Sequence, residues 1–185
     1  MWISSLGRRG RLGLLAASLL ALATVAVVLW GGYYRAAYHL HLARKAFDHD
    51  DYVAAEAHLK RCLEFRPDNA EGHFLFARLT RRAGRMSEAA EHLESSRTLG
   101  WSDDAVCLET VLAQVQQGQF VGTVENYLQR RLSNHESDRF LICEALSQGY
   151  MKTYQLSKAF GCLNKMLEQE PDNVYALLQI GRAHV

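Results

Sequence analysis

Residues 65–70 read FRPDNA and residues 169–174 read QEPDNV, so one Pro-Asp-Asn triplet closes two stretches of helical periodicity. Pro67 and Pro171 are the only prolines in the chain, and they lie 104 residues apart, two more than three units of 34. A proline cannot continue a helix and Asp-Asn favours a turn, so each triplet reads as a corner between helices. The spacing predicts a repeat.

Sliding the sequence by 34 positions places Ala43 over Ala77, Asp50 over Gly84 and Gly118, Tyr52 over Met86, Ala55 over Ala89, and Leu59 over Leu93 and Tyr127. Small residues fall on small and large on large. Within a unit the apolar positions recur at helical spacing, as in Leu42, Ala43 and Ala46 and then Ala55, Leu59, Cys62 and Leu63, with a polar turn at 48–51 between them. Each unit is expected to be a helix, a tight turn and a second helix. The two surplus residues are expected around 150–156, in the fourth unit.

These positions resemble the tetratricopeptide repeat, a 34-residue helical hairpin with small residues where its helices touch and a proline after the second helix. The stretch 36–69 carries the pattern best, through Leu42, Ala43, Tyr52, Ala55, Leu59, Cys62 and Pro67. The stretch 70–103 keeps Phe76, Ala77, Gly84, Ala89 and Leu93 but has Trp101 in place of the proline, and 104–137 and 138–173 follow more loosely. The resemblance implies an all-α fold, an α-solenoid of about four hairpins over 35–173. A partial fifth, 174–185, starts and does not finish, so the chain is expected to be truncated. QIGRAHV at the C-terminus resembles a sequencing adapter translated in frame, and 179–185 are read as foreign to the protein.

The other end has a different character. Arg8, Arg9 and Arg11 precede a run, 12–34, that contains no charged residue. As a helix that run is about 35 Å long, against a hydrocarbon core of roughly 30 Å. We expect a basic cytoplasmic tail over 1–11 and a single transmembrane helix over 12–34 embedded in the lipid bilayer, with the repeats on the non-cytoplasmic side. Trp30, Tyr33 and Tyr34 would meet the far headgroups, and Gly31-Gly32 is read as a break beyond which the repeats are counted. A cleaved signal peptide ending at Ala21-Leu22-Ala23 is the rival reading, but the apolar run continues to Trp30.

The chain offers little chemistry. Its 185 residues carry a net charge of only +1, which gives no reason to expect nucleic acid. There is no G-x-S-x-G, H-E-x-x-H, phosphate-binding or dinucleotide motif, so no enzymatic activity and no cofactor are expected. His39 and His41 would point about 200° apart on a helix and cannot clamp one metal ion. Cys62, Cys107, Cys143 and Cys162 form no C-x-x-C pair; burial explains Cys62, and a bridge between Cys143 and Cys162 is conceivable in an exported domain.

In tetratricopeptide arrays the first helix of each hairpin lines a concave groove. The resemblance places Leu40, Arg44, Phe47, Phe74, Arg78, Arg81 and Arg82 in a basic half of such a groove. It places Leu108, Leu112, Val115, Ile142 and Leu146 in an aliphatic half. Family members that clamp carboxylates use asparagine and lysine, where this chain has Arg44 and Arg78. The competing reading makes Arg78, Arg81, Arg82 and Arg85 a solvated face and the leucines core. The expected function is a membrane-anchored scaffold that binds a protein or peptide partner with an acidic segment. The alternatives are the anchor and adaptor region of a longer enzyme, and a secreted repeat protein with a cleaved signal.

Overall fold

The computed structural model describes residues 8–119, 121–134 and 136–183. The described residues form helices α1 (Arg8–Asp48), α2 (Tyr52–Phe65), α3 (Ala70–Arg82), α4 (Met86–Thr98), α5 (Asp103–Gln116), α6 (Val121–Asn134), α7 (Arg139–Lys152), α8 (Leu156–Gln169) and α9 (Val174–Ala183), with a 3₁₀ turn at Glu136–Asp138, and no strand is found among them. The fold is all-helical, as the repeat requires.

The four hairpin turns are built alike. Two residues past the end of the first helix, Asp50, Gly84, Gly118 and Tyr154 take φ values of 56°, 79°, 79° and 58°. The next N–H then reaches back five residues, from Asp51 to Ala46 (2.9 Å), Arg85 to Thr80 (2.8 Å), Gln119 to Gln114 (3.0 Å) and Gln155 to Tyr150 (2.8 Å). This is the Schellman closure, which satisfies helix-end carbonyls and needs one left-handed residue. Glycine meets that need freely at two turns. At Asp50 a short polar side chain occupies the position and accepts a hydrogen bond from the Tyr52 hydroxyl (2.6 Å). Tyr154 carries the left-handed strain with its side chain 89% exposed.

The Pro-Asp-Asn corners are equally regular. Asn69 and Asn173 each accept, at Oδ1, the N–H three residues on, from Gly72 (2.7 Å) and Ala176 (2.9 Å). Each asparagine thus caps the start of the helix that follows, α3 or α9, while the proline stops the one before. That is why the chain repeats the triplet.

Two expectations are corrected. Tyr154 and the start of α8 stand as far beyond α7 as Gly84 and the start of α4 stand beyond α3, so 150–156 holds no insertion. The surplus comes in single residues, through helices of 14 rather than 13 residues and a longer link between α5 and α6. Nor does Gly31-Gly32 end a helix: α1 runs unbroken through both. Each glycine costs about 1 kcal/mol in a helix interior. Packing on both sides offsets it, with Trp30 against Tyr34 (ring centroids 6.4 Å) and Arg66 over the Tyr33 ring (5.0 Å).

The contacts divide into two units, with the boundary in α3 after Phe76. In the first, α2 packs antiparallel on the C-terminal part of α1 around the buried Ala36, Leu40, Ala43, Ala55, Leu59 and Cys62. Earlier in α1, Leu19, Leu20, Trp30, Tyr33 and Tyr34 are exposed. Among the described residues no helix is long and apolar enough to cross a membrane. The side chains of 12–16, 22, 23 and 25–29 lie outside those described, as does 1–7, so the transmembrane expectation falls largely on undescribed residues.

In the second unit α5 packs on α7, α7 on α8 and α8 on α9, around one core that includes Leu112, Val115, Leu128, Ile142, Leu146, Leu163 and Met166. A close approach is made at Gly149, where a Cβ atom would lie 2.1 Å from the Val115 carbonyl oxygen. The helices α5 and α7 touch there through backbone.

Two substitutions test this account. Gly149→Ala must force α5 from α7 and is expected to cost about 3 kcal/mol, whereas Tyr154→Gly relieves left-handed strain and should stabilise by about 1 kcal/mol. Urea unfolding of the full chain measures both. An unchanged midpoint for Gly149→Ala would show that the two backbones do not meet.

Candidate interaction surface

On α3, Arg78, Arg81 and Arg82 follow each other at helical spacings of three and four, so they share a face. That face meets acidic and amide side chains from α5 and α7. Arg81 is 1% exposed; its Nε donates to Glu109 Oε2 (2.8 Å) and another guanidinium nitrogen to Gln116 Oε1 (2.9 Å). Gln116 returns a bond from its amide to the Arg81 carbonyl (3.0 Å). Arg78 donates to the other oxygen of Glu109 (2.7 Å), and Arg82 to Glu144 (3.1 Å). Beyond these, Gln148 donates to the Tyr175 hydroxyl (2.8 Å), which carries the polar row from α7 to α9.

Glu109 is buried, which works to raise its pKa. The two guanidiniums beside it and their hydrogen bonds outweigh burial and hold the carboxyl below its ordinary value near 4.5. A buried pair of this kind adds little net stability over apolar residues, but losing one partner leaves uncompensated charge.

The structure separates the twelve groove residues into three groups. Leu108, Leu112, Val115, Ile142 and Leu146 are buried in the core of the second unit and offer no aliphatic groove. The register explains the correction: α5 and α7 pack on each other through the side expected to face outward, because Gly149 lets them approach. Leu40 and Phe74 are also buried, and Phe47 is half-buried edge-on to Tyr52 at 5.9 Å. The four arginines form the third group, and each already meets a carboxylate of its own chain. Arg44 holds Glu71 with Nε at 2.6 Å from Oε1. The basic stripe is therefore largely neutralised from within. Glu71, Glu109, Gln116 and Glu144 were missed in sequence; the signal was there for Glu109, a charged residue between Leu108 and Leu112 on a helix otherwise rich in apolar residues.

Other candidate chemistry resolves simply. His39 turns from His41 to pair with His58, Nδ1 to Nδ1 at 3.1 Å, and stacks on Phe65 with ring centroids 6.1 Å apart. Burial and then the neighbouring His58 hold His39 below the ordinary imidazole pKa. Among the described residues no group of three or more His, Cys, Asp or Glu is placed to hold a metal ion. All four cysteines are free thiols; Cys143 and Cys162 are hydrogen-bonded to each other across α7 and α8, so the bridge conceivable from sequence is not formed.

Residues 46–97 match the family model of the tetratricopeptide repeat. The matched segment runs from the last turn of α1 through α2 and α3 to the end of α4. No curated protein and no solved structure matches the chain. Repeats of this family generally mediate protein–protein interaction.

The ion network makes a prediction with a pH dependence. Because the folded pKa of Glu109 lies below its unfolded value, its contribution to stability is complete above the unfolded pKa and is lost as pH falls through the folded one. Glu109→Gln leaves Arg78 and Arg81 facing a neutral amide and should cost about 3–5 kcal/mol at pH 7. The deficit should shrink at acid pH, below the ordinary carboxylate range. Denaturant titrations at pH 7 and pH 3 check it; an equal deficit at both would mean that Glu109 is not ionised in the fold.

Proposed function

We propose that this chain is a membrane-anchored tetratricopeptide-repeat scaffold that binds a segment of another protein and has no catalytic role of its own. The observation that carries the reading is the match at 46–97, seated on hairpins whose four turns close identically. Repeats of this family in general stack into an extended face, which suits recognition of a peptide segment. The charge-free run 12–34 behind an arginine cluster supports the anchor, with the N-terminus cytoplasmic and the repeats on the opposite side. Exposure of Leu19, Leu20 and Trp30 along a continuous helix also favours a lipid environment for that segment.

An acidic partner segment retains support on a narrower basis. Arg78 pairs with Glu109 yet remains 27% exposed, so its guanidinium is the part of this arginine face that an acidic segment can reach. A single partly exposed guanidinium contributes about 0–1 kcal/mol, so it tunes association rate and salt response more than final affinity.

The test uses the full chain in native membranes, with crosslinked partners recovered at two salt concentrations from the wild type and from Arg78→Gln. The variant should capture partners more weakly at low salt and respond less to added salt. Identical capture and salt response would remove the acidic-segment reading. Protease added on the non-cytoplasmic side should digest the repeats; their protection there, with digestion from the cytoplasmic side, would reverse the orientation.

A further inference from the structure

We infer that the first hairpin is seated on the membrane surface, with the Pro67–Asp68–Asn69 corner and the end of α2 lying in the headgroup layer. The inference rests on the anchored reading of α1. Its own basis is the continuity of that helix. Because α1 runs without a break from Arg8 to Asp48, no linker separates the charge-free run from the first helix of the hairpin. The hairpin cannot swing away from the bilayer as a tethered domain would.

The chain then comes back. Helix α1 leaves the charge-free run at Tyr34 and ends at Asp48, and α2 returns antiparallel over 14 residues, about 21 Å. It stops level with the point of departure: the Phe65 carbonyl oxygen lies 3.9 Å from where a Cβ on Gly32 would stand. Arg66 sits over the Tyr33 ring at 5.0 Å, and Arg35 over the Phe65 ring at 5.7 Å. The end of α2 and the corner after it are therefore at the height of Gly32–Arg35, the edge of the run, and the 48–51 turn is at the far end of the hairpin.

The chemistry at that height suits phosphate headgroups. Trp30, Tyr33, Tyr34 and Tyr38 are all more than half exposed, and aromatic rings with a polar edge settle at this depth. Arg35, Arg61 and Arg66 outnumber Glu64 and Asp68; the guanidiniums of Arg35 and Arg66 lie over the Phe65 and Tyr33 rings, and long stems let such groups reach lipid phosphates. The partner committed to is an anionic phospholipid surface.

The experiment reconstitutes the full chain in phosphatidylethanolamine–phosphatidylglycerol vesicles containing a headgroup-nitroxide lipid. In a Cys107→Ser background, a fluorophore is attached through Asp68→Cys or, separately, through His49→Cys in the exposed turn at the far end. Quenching at position 68 should be several-fold stronger than at 49, and Arg35→Glu with Arg66→Glu should reduce it. Equal, weak quenching at both positions in a chain that resists carbonate extraction would overturn the seating while leaving the anchor standing. A chain released by carbonate would overturn both.

Discussion

A single residue with positive φ, two places beyond each first helix, decides where the second helix begins. The Schellman bonds that it permits turn the backbone back on itself, and the register of α2 on α1 and of α8 on α7 matches that turn. Core formation follows from that register. Ala55, Leu59 and Cys62 meet Ala36, Leu40 and Ala43, and Ala159, Leu163 and Met166 meet Ile142 and Leu146, because the turn delivers them to the same height. The left-handed position is tolerant enough to accept Asp50 and Tyr154 at a cost, which shows that the turn is fixed by the helices on both sides and not by glycine alone.

A second constraint operates between hairpins of the second unit. Gly149 brings the α7 backbone against that of α5, which leaves no space for the aliphatic side chains there to face outward. Arg81 can be buried only because Glu109 and Gln116 answer it, and Glu109 stays ionised only because Arg78 and Arg81 surround it. Packing and electrostatics are one arrangement here. Arg78, Arg81 and Arg82, read as part of a basic stripe, become an internal lattice with Glu109 and Glu144.

The hairpins were legible because their signals are local. Glycine, proline and asparagine each report a backbone requirement at their own position, and α3, α5, α7 and α9 begin within a residue of 70, 104, 138 and 174. The ion pairs were not legible, since Arg81 finds Glu109 and Gln116 at separations of 28 and 35 residues and Arg82 finds Glu144 at 62. Helical spacing shows that three arginines share a face; it does not show what covers that face. Gly31-Gly32 misled for the opposite reason. Its local preference is against helix, but contacts made by Trp30, Tyr33 and Arg66 override a preference of about 1 kcal/mol per residue.

That override has a consequence for how the first unit works. Had the glycine pair broken the helix, the N-terminal segment and the first hairpin would be joined by a hinge, and the hairpin's orientation would be set by diffusion on a tether. With α1 continuous, any orientation imposed on residues near Trp30 is transmitted directly to Leu40, Ala43 and the α2 helix packed on them. A single bent hydrogen bond in the ladder could absorb only a small kink, because α2 braces the same stretch from Gly32 to Asp48. The first unit is thus a stiff post. Whatever holds its lower end also fixes the direction in which its first hairpin faces.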